Sequence, residues 1–493
     1  MPIRKPVKDV GKQTIIYGIG RVAVKLTALI LIPVFTNYIS IYEIGVLALF
    51  ELTELLLLAV LPLGVFQGIW RYLTKTDYKK NKQLIISGFF GLIITTIFFI
   101  GLCLLGIDQL MGLLNISIQY KSLYVIVLLN VVFQIGIQFN LQLWRYEQKS
   151  IQYIIVTFLQ FIGVAGVTIL LIIKFNFGLT SAVWGKAIIL APLFIISMIY
   201  VFIHNRIKPS INLFFKQLKF GLPLIIAGIS TPILTVSDRF FLNMFLPLEQ
   251  VGIYNIVYKF GMIINILLVM PLSMGMSPYM YRIGSLNSEH KFYSDIMFYY
   301  SVIGSVLVLM ISMMASPMIE LFSTKDYLIA AGIIPIVSFA YLISGFNSFF
   351  SISIALNNKT KIIGIIASFG IIINLLLNYY LIQNYYLMGA AWATVISYFL
   401  ITIMYYVSAK PLSNVDWEIQ RIIKLILSLI FSLGLLYFNS HYQYFNQLIG
   451  GFLILVFYLS LLIITRTINR KDINSLKYLS QKMYKIKGTK NKK

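Results

Sequence analysis

Charge is scarce in this 493-residue chain and negative charge scarcest: charged residues make up 11% of it, with 16 Asp and Glu against 40 Lys and Arg. Cysteine is almost absent. The single Cys103 lies inside an apolar stretch, which excludes an intramolecular disulfide and a Cys-based metal site. There is no Walker loop, nucleophile motif or cluster of metal ligands, so neither ATP hydrolysis nor a metal cofactor is expected. Long outward loops are also missing. None exceeds about a dozen residues, which is short for an active-site domain and argues against a membrane polymerase or glycosyltransferase.

The apolar residues are what the chain has in excess. With 59% hydrophobic residues and a mean hydropathy of +0.87, it carries more apolar surface than a soluble core could hide. A net charge of +24 does not signal nucleic acid, because the basic residues are spread through short segments between apolar stretches. The composition is that of a polytopic membrane protein.

About 20 mostly apolar residues cross the ~30 Å hydrocarbon layer. Fourteen stretches qualify: 14–37, 43–69, 84–107, 121–144, 151–173, 180–203, 219–245, 250–279, 294–322, 328–356, 362–382, 387–408, 420–438 and 447–465. No segment alternates as a barrel strand would, so all are expected to be helices. The first is too long for a cleaved signal peptide and lacks a small-residue cleavage site, and is expected to be retained.

Orientation follows from Lys and Arg. The N-terminus (Arg4, Lys5, Lys8, Lys12), the second loop (Arg71, Lys75, Lys79, Lys80, Lys82), the sixth (Arg206, Lys208, Lys216, Lys219) and the tail from Arg466 are basic. The intervening loops hold Lys174 and Lys325. Even-numbered loops and both termini are therefore expected in the cytoplasm. All five tryptophans (Trp70, Trp144, Trp184, Trp392, Trp417) fall near span ends, as an interfacial belt requires. The tail "INSLKYLSQKMYKIKGTKNKK" reads either as an amphipathic helix on the anionic leaflet or as a solvated basic segment.

An internal repeat sets the architecture. "FTNYISIYEIGVLALF" (35–50) recurs in outline as "FLNMFLPLEQVGIYNI" (241–256), each copy running on to a Pro-Leu pair and then an Arg (Arg71, Arg282). Six helices per repeat leave both halves in one orientation, about an axis normal to the membrane. The expected division is an all-α fold with a cytoplasmic N-terminus (1–13), a six-helix bundle (14–203), a cytoplasmic linker (204–218), a second bundle (219–408), two additional helices (409–465) and a basic cytoplasmic tail (466–493).

The stretches "PVFTNYISIYEIG" (33–45), "QGIWRY" (67–72) and "SDRFFLNMFLPLEQVGIYNI" (237–256), with the basic first span, resemble the polysaccharide-biosynthesis flippases, the O-antigen transporter type of the MATE-like MOP superfamily. The resemblance covers the whole chain as topology and is concentrated in spans one, two, seven and eight. It implies export of an undecaprenyl-diphosphate-linked sugar unit, for O-antigen, capsule or a related polymer, from the inner to the outer leaflet of a bacterial plasma membrane by alternating access. It also implies no enzymatic activity, a possible coupling ion (H+ or Na+) and contact with membrane lipids and other polysaccharide-assembly proteins. A drug or cation exporter of the same superfamily would usually have twelve spans and a more acidic cavity. A major-facilitator transporter would carry a Gly, Asp and clustered-Arg loop, which "WRYLTKTDYKKNK" (70–82) lacks.

Charges inside spans are costly and mark sites or pairs. Away from span ends stand Arg21, Lys25, Glu51, Glu54, Asp238, Arg239 and Lys259, with Lys186 nearer the outer surface. Together these are five cations against three anions, a balance suited to a diphosphate. Arg21, Lys25, Arg239 and Lys259 are the candidate headgroup ligands, and Glu51, Glu54 and Asp238 serve either ion coupling or pairing. Lys25 falls at the depth of Glu54, so it either pairs with it or binds substrate. Asp238 and Arg239 point about 100° apart on a helix, which predicts a poor mutual pair and a separate partner for each. Lys186 is expected to snorkel outward. Gln134, Gln138, Asn374 and Asn378 suit either sugar hydroxyls or interhelical bonding. Nine of the 14 prolines fall in spans and predict kinks.

The topology is directly testable: cysteine labelling at Asn81 and Lys208 is expected to report cytoplasm, and at Asn115 and Asn384 the outside. Asn81 and Asn115 on one side would contradict the alternation.

Overall fold

The computed structural model describes residues 27–73, 77–274, 290–413, 415–442 and 445–468. Arg21, Lys25, Arg282, Pro278 and the basic tail lie outside these residues. Among the described residues every regular element is helical. The first half contains α1 (Ile32–Tyr38), α2 (Ile41–Val60), α3 (Val65–Tyr72), α4 (Tyr78–Leu105), α5 (Ile107–Leu113), α6 (Lys121–Tyr146), α7 (Ser150–Phe175) and α8 (Leu179–His204). The second contains α9 (Ile211–Gly221), α10 (Ile225–Phe245), α11 (Leu248–Gly261), α12 (His290–Met313), α13 (Ala315–Phe322), α14 (Ile333–Leu356), α15 (Thr360–Ala409), α16 (Ile419–Tyr442) and α17 (Gln447–Ile464).

Eleven helical segments are long and apolar enough to cross a membrane, twelve when the pair Ile211–Leu224 and Gly228–Phe245, bent by 54°, is one span. The chain is thus a multi-pass membrane protein. One segment, Thr360–Leu412, turns back on itself at Tyr386, where φ is 52° and ψ is −131°. Beyond that point Gly389 lies on the carbonyl of Leu381, and Asn374 Nδ2 donates to Ser397 Oγ at 3.1 Å. Its two arms are antiparallel, in accord with the expected spans 362–382 and 387–408. The first expected span is described only as the short apolar helix Thr27–Tyr38. A count of fourteen crossings therefore rests on residues outside the described ones.

Odd-numbered connections gather at one end of the molecule, where Asn243 Nδ2 donates to the Leu114 carbonyl at 2.7 Å and the Tyr42 and Tyr120 rings lie 6.4 Å apart. Even-numbered connections gather at the other, where Ser210 N donates to Ser87 Oγ at 2.8 Å and Asn357 Nδ2 to the Leu412 carbonyl at 2.9 Å. The odd end holds Lys121 as well as Lys174 and Lys325. Lys121 opens a span, escapes a count of loop cations, and pairs with Asp108 at 2.5 Å. The tryptophans divide: Trp70, Trp184 and Trp392 are exposed, whereas Trp144 and Trp417 are buried against Tyr200 and Phe350 and belong to the core, not to a belt.

Helices α2 and α11 cross alike, although only α2 has a side-chain cap at its start. At α2 the Ser40 hydroxyl accepts from Glu43 N at 3.2 Å while Glu43 Oε2 accepts from Ser40 N, a capping box that fixes where the helix begins. The fifth residue of each helix is glycine. A Cβ on Gly45 would lie 2.0 Å from the Leu248 carbonyl oxygen, and one on Gly252 would lie 2.4 Å from that of Ile41. Each glycine thus sits on the first turn of the other helix, a reciprocal contact that closes the odd end between the two halves.

Both helices also depart from α-geometry further on. The span of α2 breaks at Pro62, with Leu63 (φ 50°) and Gly64 (φ 67°) left-handed, and resumes as α3. In the span of α11 the turn Asn265–Val269 is π-helical, because Pro271 lacks the amide that would continue the ladder. After the break, α3 packs antiparallel on α9: a Cβ on Gly64 or Gly221 would come within 2.2 Å of the other's carbonyl oxygen. The halves therefore touch at both ends.

Gly45→Val is expected to lower thermal stability by roughly 1–3 kcal/mol through overpacking, while Gly112→Ala, where a Cβ meets nothing within 4 Å, leaves it unchanged. Equal midpoints for the two in detergent unfolding would refute the crossing.

Candidate functional site

A cavity of about 270 Å³ lies beside α2 within the first half, and among the described residues Lys259 is the one of the second half that lines it. Thr27, Ala28, Leu31 and Phe35 of the first helix line one side, with Leu47, Glu51 and Glu54 from α2, Gln134 from α6, Gln160 and Thr168 from α7, Lys186 from α8 and Lys259 from α11. Leu47, Glu51 and Glu54 are spaced i, i+4, i+7 and form one stripe of α2, which is why both carboxylates face the same space.

Each carboxylate has two partners. Lys186 Nζ lies 2.8 Å from Glu54 Oε2, and Gln134 Nε2 donates to Glu54 Oε1. Lys259 Nζ lies 3.1 Å from Glu51 Oε1, and Asn255 Nδ2 donates to Glu51 Oε2 at 3.3 Å. Asn255 and Lys259, four apart on α11, thus reach across to one carboxylate of the other half. Lys186 does not snorkel outward as expected. A carboxylate at its own depth, inside the bundle, outcompetes the route to water; the pairing of Glu54 with Lys25 lies outside the described residues.

Asp238 and Arg239 pair directly, against expectation, at 2.6 Å. Their Cβ atoms do diverge, but the arginine folds back along its own helix so that NH1 also donates to the Thr235 carbonyl at 2.5 Å. Tyr254 Oη donates to the other Asp238 oxygen at 2.7 Å, and Arg239 NH2 reaches Asn255 Oδ1 at 3.5 Å. The guanidinium lies 4.3 Å from the Tyr258 ring centroid, a cation–π contact. Arg239 is 5% exposed and Asp238 2%. In this conformation Arg239 is enclosed by protein partners and does not line the cavity.

Asn255 joins these groups. It accepts from Arg239 and donates to Glu51, so a continuous polar chain runs from Asp238 in the second half to Glu51 in the first. Asn374 and Asn378 are tied into a separate buried cluster with Ser237 and Ser397: Ser237 Oγ donates to Asn374 Oδ1 at 2.8 Å and Asn378 Nδ2 donates to the same oxygen at 3.1 Å. They bond helices to one another. Asn255 and Gln160 escaped the sequence reading; the i, i+4 spacing of Asn255 and Lys259 in an apolar span was the signal available.

Within the described cavity the charges balance, Glu51 and Glu54 against Lys186 and Lys259. Any cationic excess rests on Arg21 and Lys25, outside the described residues.

A family model described as polysaccharide biosynthesis protein matches residues 10–284, more than half of the chain. The chain belongs to the polysaccharide biosynthesis protein family. Among solved structures it is similar to a lipid II flippase MurJ in an inward closed conformation, at TM-score 0.72 and 16% identity over 92% of this chain and 98% of that one. It is also similar to a multidrug resistance MATE family transporter of the MOP superfamily in an inward-facing conformation, at TM-score 0.63 and 13% identity, covering 80% of this chain and 97% of that one. At these identities the likeness is one of fold. No curated protein matches the sequence.

Breaking a buried pair leaves an uncompensated charge, worth ~3–5 kcal/mol when water cannot reach it. Asp238→Asn strands Arg239 among tyrosines and is expected to cost that much. Glu51→Gln strands Lys259 at a cavity wall, where water can hydrate it, and is expected to cost clearly less. Equal shifts in unfolding midpoint would show that the two pairs share one environment.

Proposed function

We propose that this protein is a flippase that carries an undecaprenyl-diphosphate-linked oligosaccharide from the inner to the outer leaflet of a bacterial plasma membrane by alternating access. The observation that carries the reading is the ion-paired cavity in which Lys259 of the second half meets Glu51 of the first, with the two halves in contact at Gly45–Leu248 and at Gly64–Gly221. Family membership supports it independently.

The cavity is smaller than the ~300–1,000 Å³ that enclose ordinary ligands. At about 270 Å³ it has room for a diphosphate and none for the attached glycan, so entry requires the halves to separate. Separation breaks the Glu51–Lys259 pair. A diphosphate compensates for that loss by taking Lys259 and Lys186 as its own counter-charges, joined by Arg21 and Lys25 from the first helix. In sequence Arg21 stands seven residues before the cavity-lining Ala28. Arg239 acts one step removed, orienting Asn255 and through it Glu51. The polyprenyl tail stays in lipid.

Two negative charges moving outward across an inside-negative membrane gain ~2.3 kcal/mol per charge per 100 mV if they cross the whole field. Cations that travel with the substrate cancel that gain, so Glu51, Glu54 or Asp238 takes up a returning proton or sodium ion. The second reading, a cation-coupled exporter of the MATE type, draws on the shared fold.

Deletion of the gene is expected to accumulate lipid-linked oligosaccharide, identified by mass, that a membrane-impermeant probe cannot reach from outside. Unchanged lipid-linked pools with greater dye or drug sensitivity would favour the exporter instead. At the residue level, Lys259→Arg and Arg21→Lys are expected to keep partial transport. Lys259→Gln and Arg21→Gln should abolish it at unchanged membrane levels. Normal transport by Arg21→Gln would give that cation a structural role.

A further inference from the structure

The even-numbered end of the inter-half contact carries charges that the cavity does not use. Where α3 and α9 run antiparallel, Gly64 rests on Gly221 and Gly68 on Gln217. At the rim of this crossing the guanidinium carbon of Arg71, from the first half, lies 6.0 Å from the ring centroid of Phe220 in the second. Lys216 Nζ of the second half lies 4.6 Å from the ring centroid of Tyr72 in the first. The two rings meet edge-on, 6.2 Å between centroids at 68°. Cation and ring thus alternate across the boundary, each cation seated on the other half's ring. Arg71, Lys216 and Phe220 are exposed, and among the described residues neither cation is in an ion pair.

A cation on an exposed ring is held weakly. A charge-assisted hydrogen bond to phosphate is stronger, and an arginine beside a lysine can grip two phosphates at once. The same two cations cannot serve both rings and phosphates. The surroundings of the quartet have the composition of a membrane interface: Ile211 and Phe215 of α9 are exposed apolar residues on the same short helix as exposed Lys216 and Lys219, the mixture found where hydrocarbon meets water.

We propose that Arg71 and Lys216, seated on Phe220 and Tyr72 across the two halves, form an anion-operated gate that a diphosphate-bearing lipid headgroup opens by drawing both cations off the rings. This rests on the flippase reading for the identity of the cargo and adds how the carrier admits it. A carrier so built stays shut at this end until a headgroup arrives, which prevents an empty opening and the leak it would allow. Lipids lacking a phosphate cluster, and neutral or cationic solutes, leave the rings occupied.

The test uses full-length protein with Cys103→Ser and spin labels at Tyr78→Cys and Ile211→Cys, one on each half, in phosphatidylcholine nanodiscs. In one arm inorganic pyrophosphate is added to solution; in the other the nanodiscs are doped with a polyprenyl diphosphate. The interlabel distance is expected to lengthen in both arms, at a lower diphosphate amount in the lipid arm. Pyrophosphate affinity, measured by calorimetry, then separates gate from mere glue. Y72L/F220L frees the cations and is expected to bind several-fold tighter. R71Q/K216Q removes them and is expected to bind about tenfold weaker, although both variants read open without ligand. If the cations were only part of the seal, both variants would bind tighter, because both open the path to the inner cavity. Changes of the same sign, or a wild-type distance that diphosphate does not move, would overturn the gate. Opening by soluble pyrophosphate alone would overturn the headgroup as its operator. These measurements need no transport: glycan flipping that fails while they hold removes the flippase reading alone, and flipping that survives their failure removes the gate alone.

Discussion

The ion pair between Glu51 and Lys259 is the contact on which the arrangement turns. It joins the two halves of the chain inside a membrane-spanning bundle, where an unpaired charge is expensive and a well-partnered one is strongly held. Its geometry is prepared from both sides. The capping box at Ser40 sets the start of α2 and therefore the face on which Glu51 and Glu54 emerge. The reciprocal seating of Gly45 and Gly252 brings α11 close enough for Asn255 and Lys259 to reach the carboxylate. Behind it, the Asp238–Arg239 pair and its tyrosines hold Asn255 in place, so that the bridging amide presents a donor to Glu51 and an acceptor to Arg239.

Such a bridge is stable only while nothing better is offered. Neutral cargo cannot replace a carboxylate as the partner of a buried lysine, whereas a diphosphate can. On the flippase reading proposed above, a cavity whose cations are matched by internal acids would admit a dianion that replaces those acids and exclude solutes that cannot. The polar chain from Asp238 to Glu51 spans both halves, and the non-α segments after Leu61 and at Asn265–Val269 place the two helices' weak points at similar distances from their shared crossing.

Much of this was legible before any coordinates. Apolar length placed the eleven long helices found among the described residues, including the turn near Tyr386 between two spans that run on as one helix by hydrogen bonding. The repeat "FTNYISIYEIG" and "FLNMFLPLEQVG" matched spans one and two to seven and eight; that α2 and α11 of these spans cross was not legible from it. Which charges meet was not legible, because pairing across a bundle depends on which faces turn inward. Lys186 and Glu54 are 132 positions apart and Lys259 and Glu51 208, and no local pattern connects them. The Asp238–Arg239 pair failed for a different reason: the direction of Cβ atoms says little about a side chain long enough to fold back along its helix.

Leaflet exchange by the purified protein tests the central claim most directly. In proteoliposomes carrying a fluorescent glycan on a polyprenyl diphosphate, a membrane-impermeant quencher reads how much substrate changes leaflet over time. Exchange should be protein-dependent, lost with Lys259→Gln, and insensitive to a hydrophobic organic cation. Exchange absent for the lipid-linked glycan while the same vesicles move the cation would contradict the flippase assignment and return the chain to the exporters that share its fold.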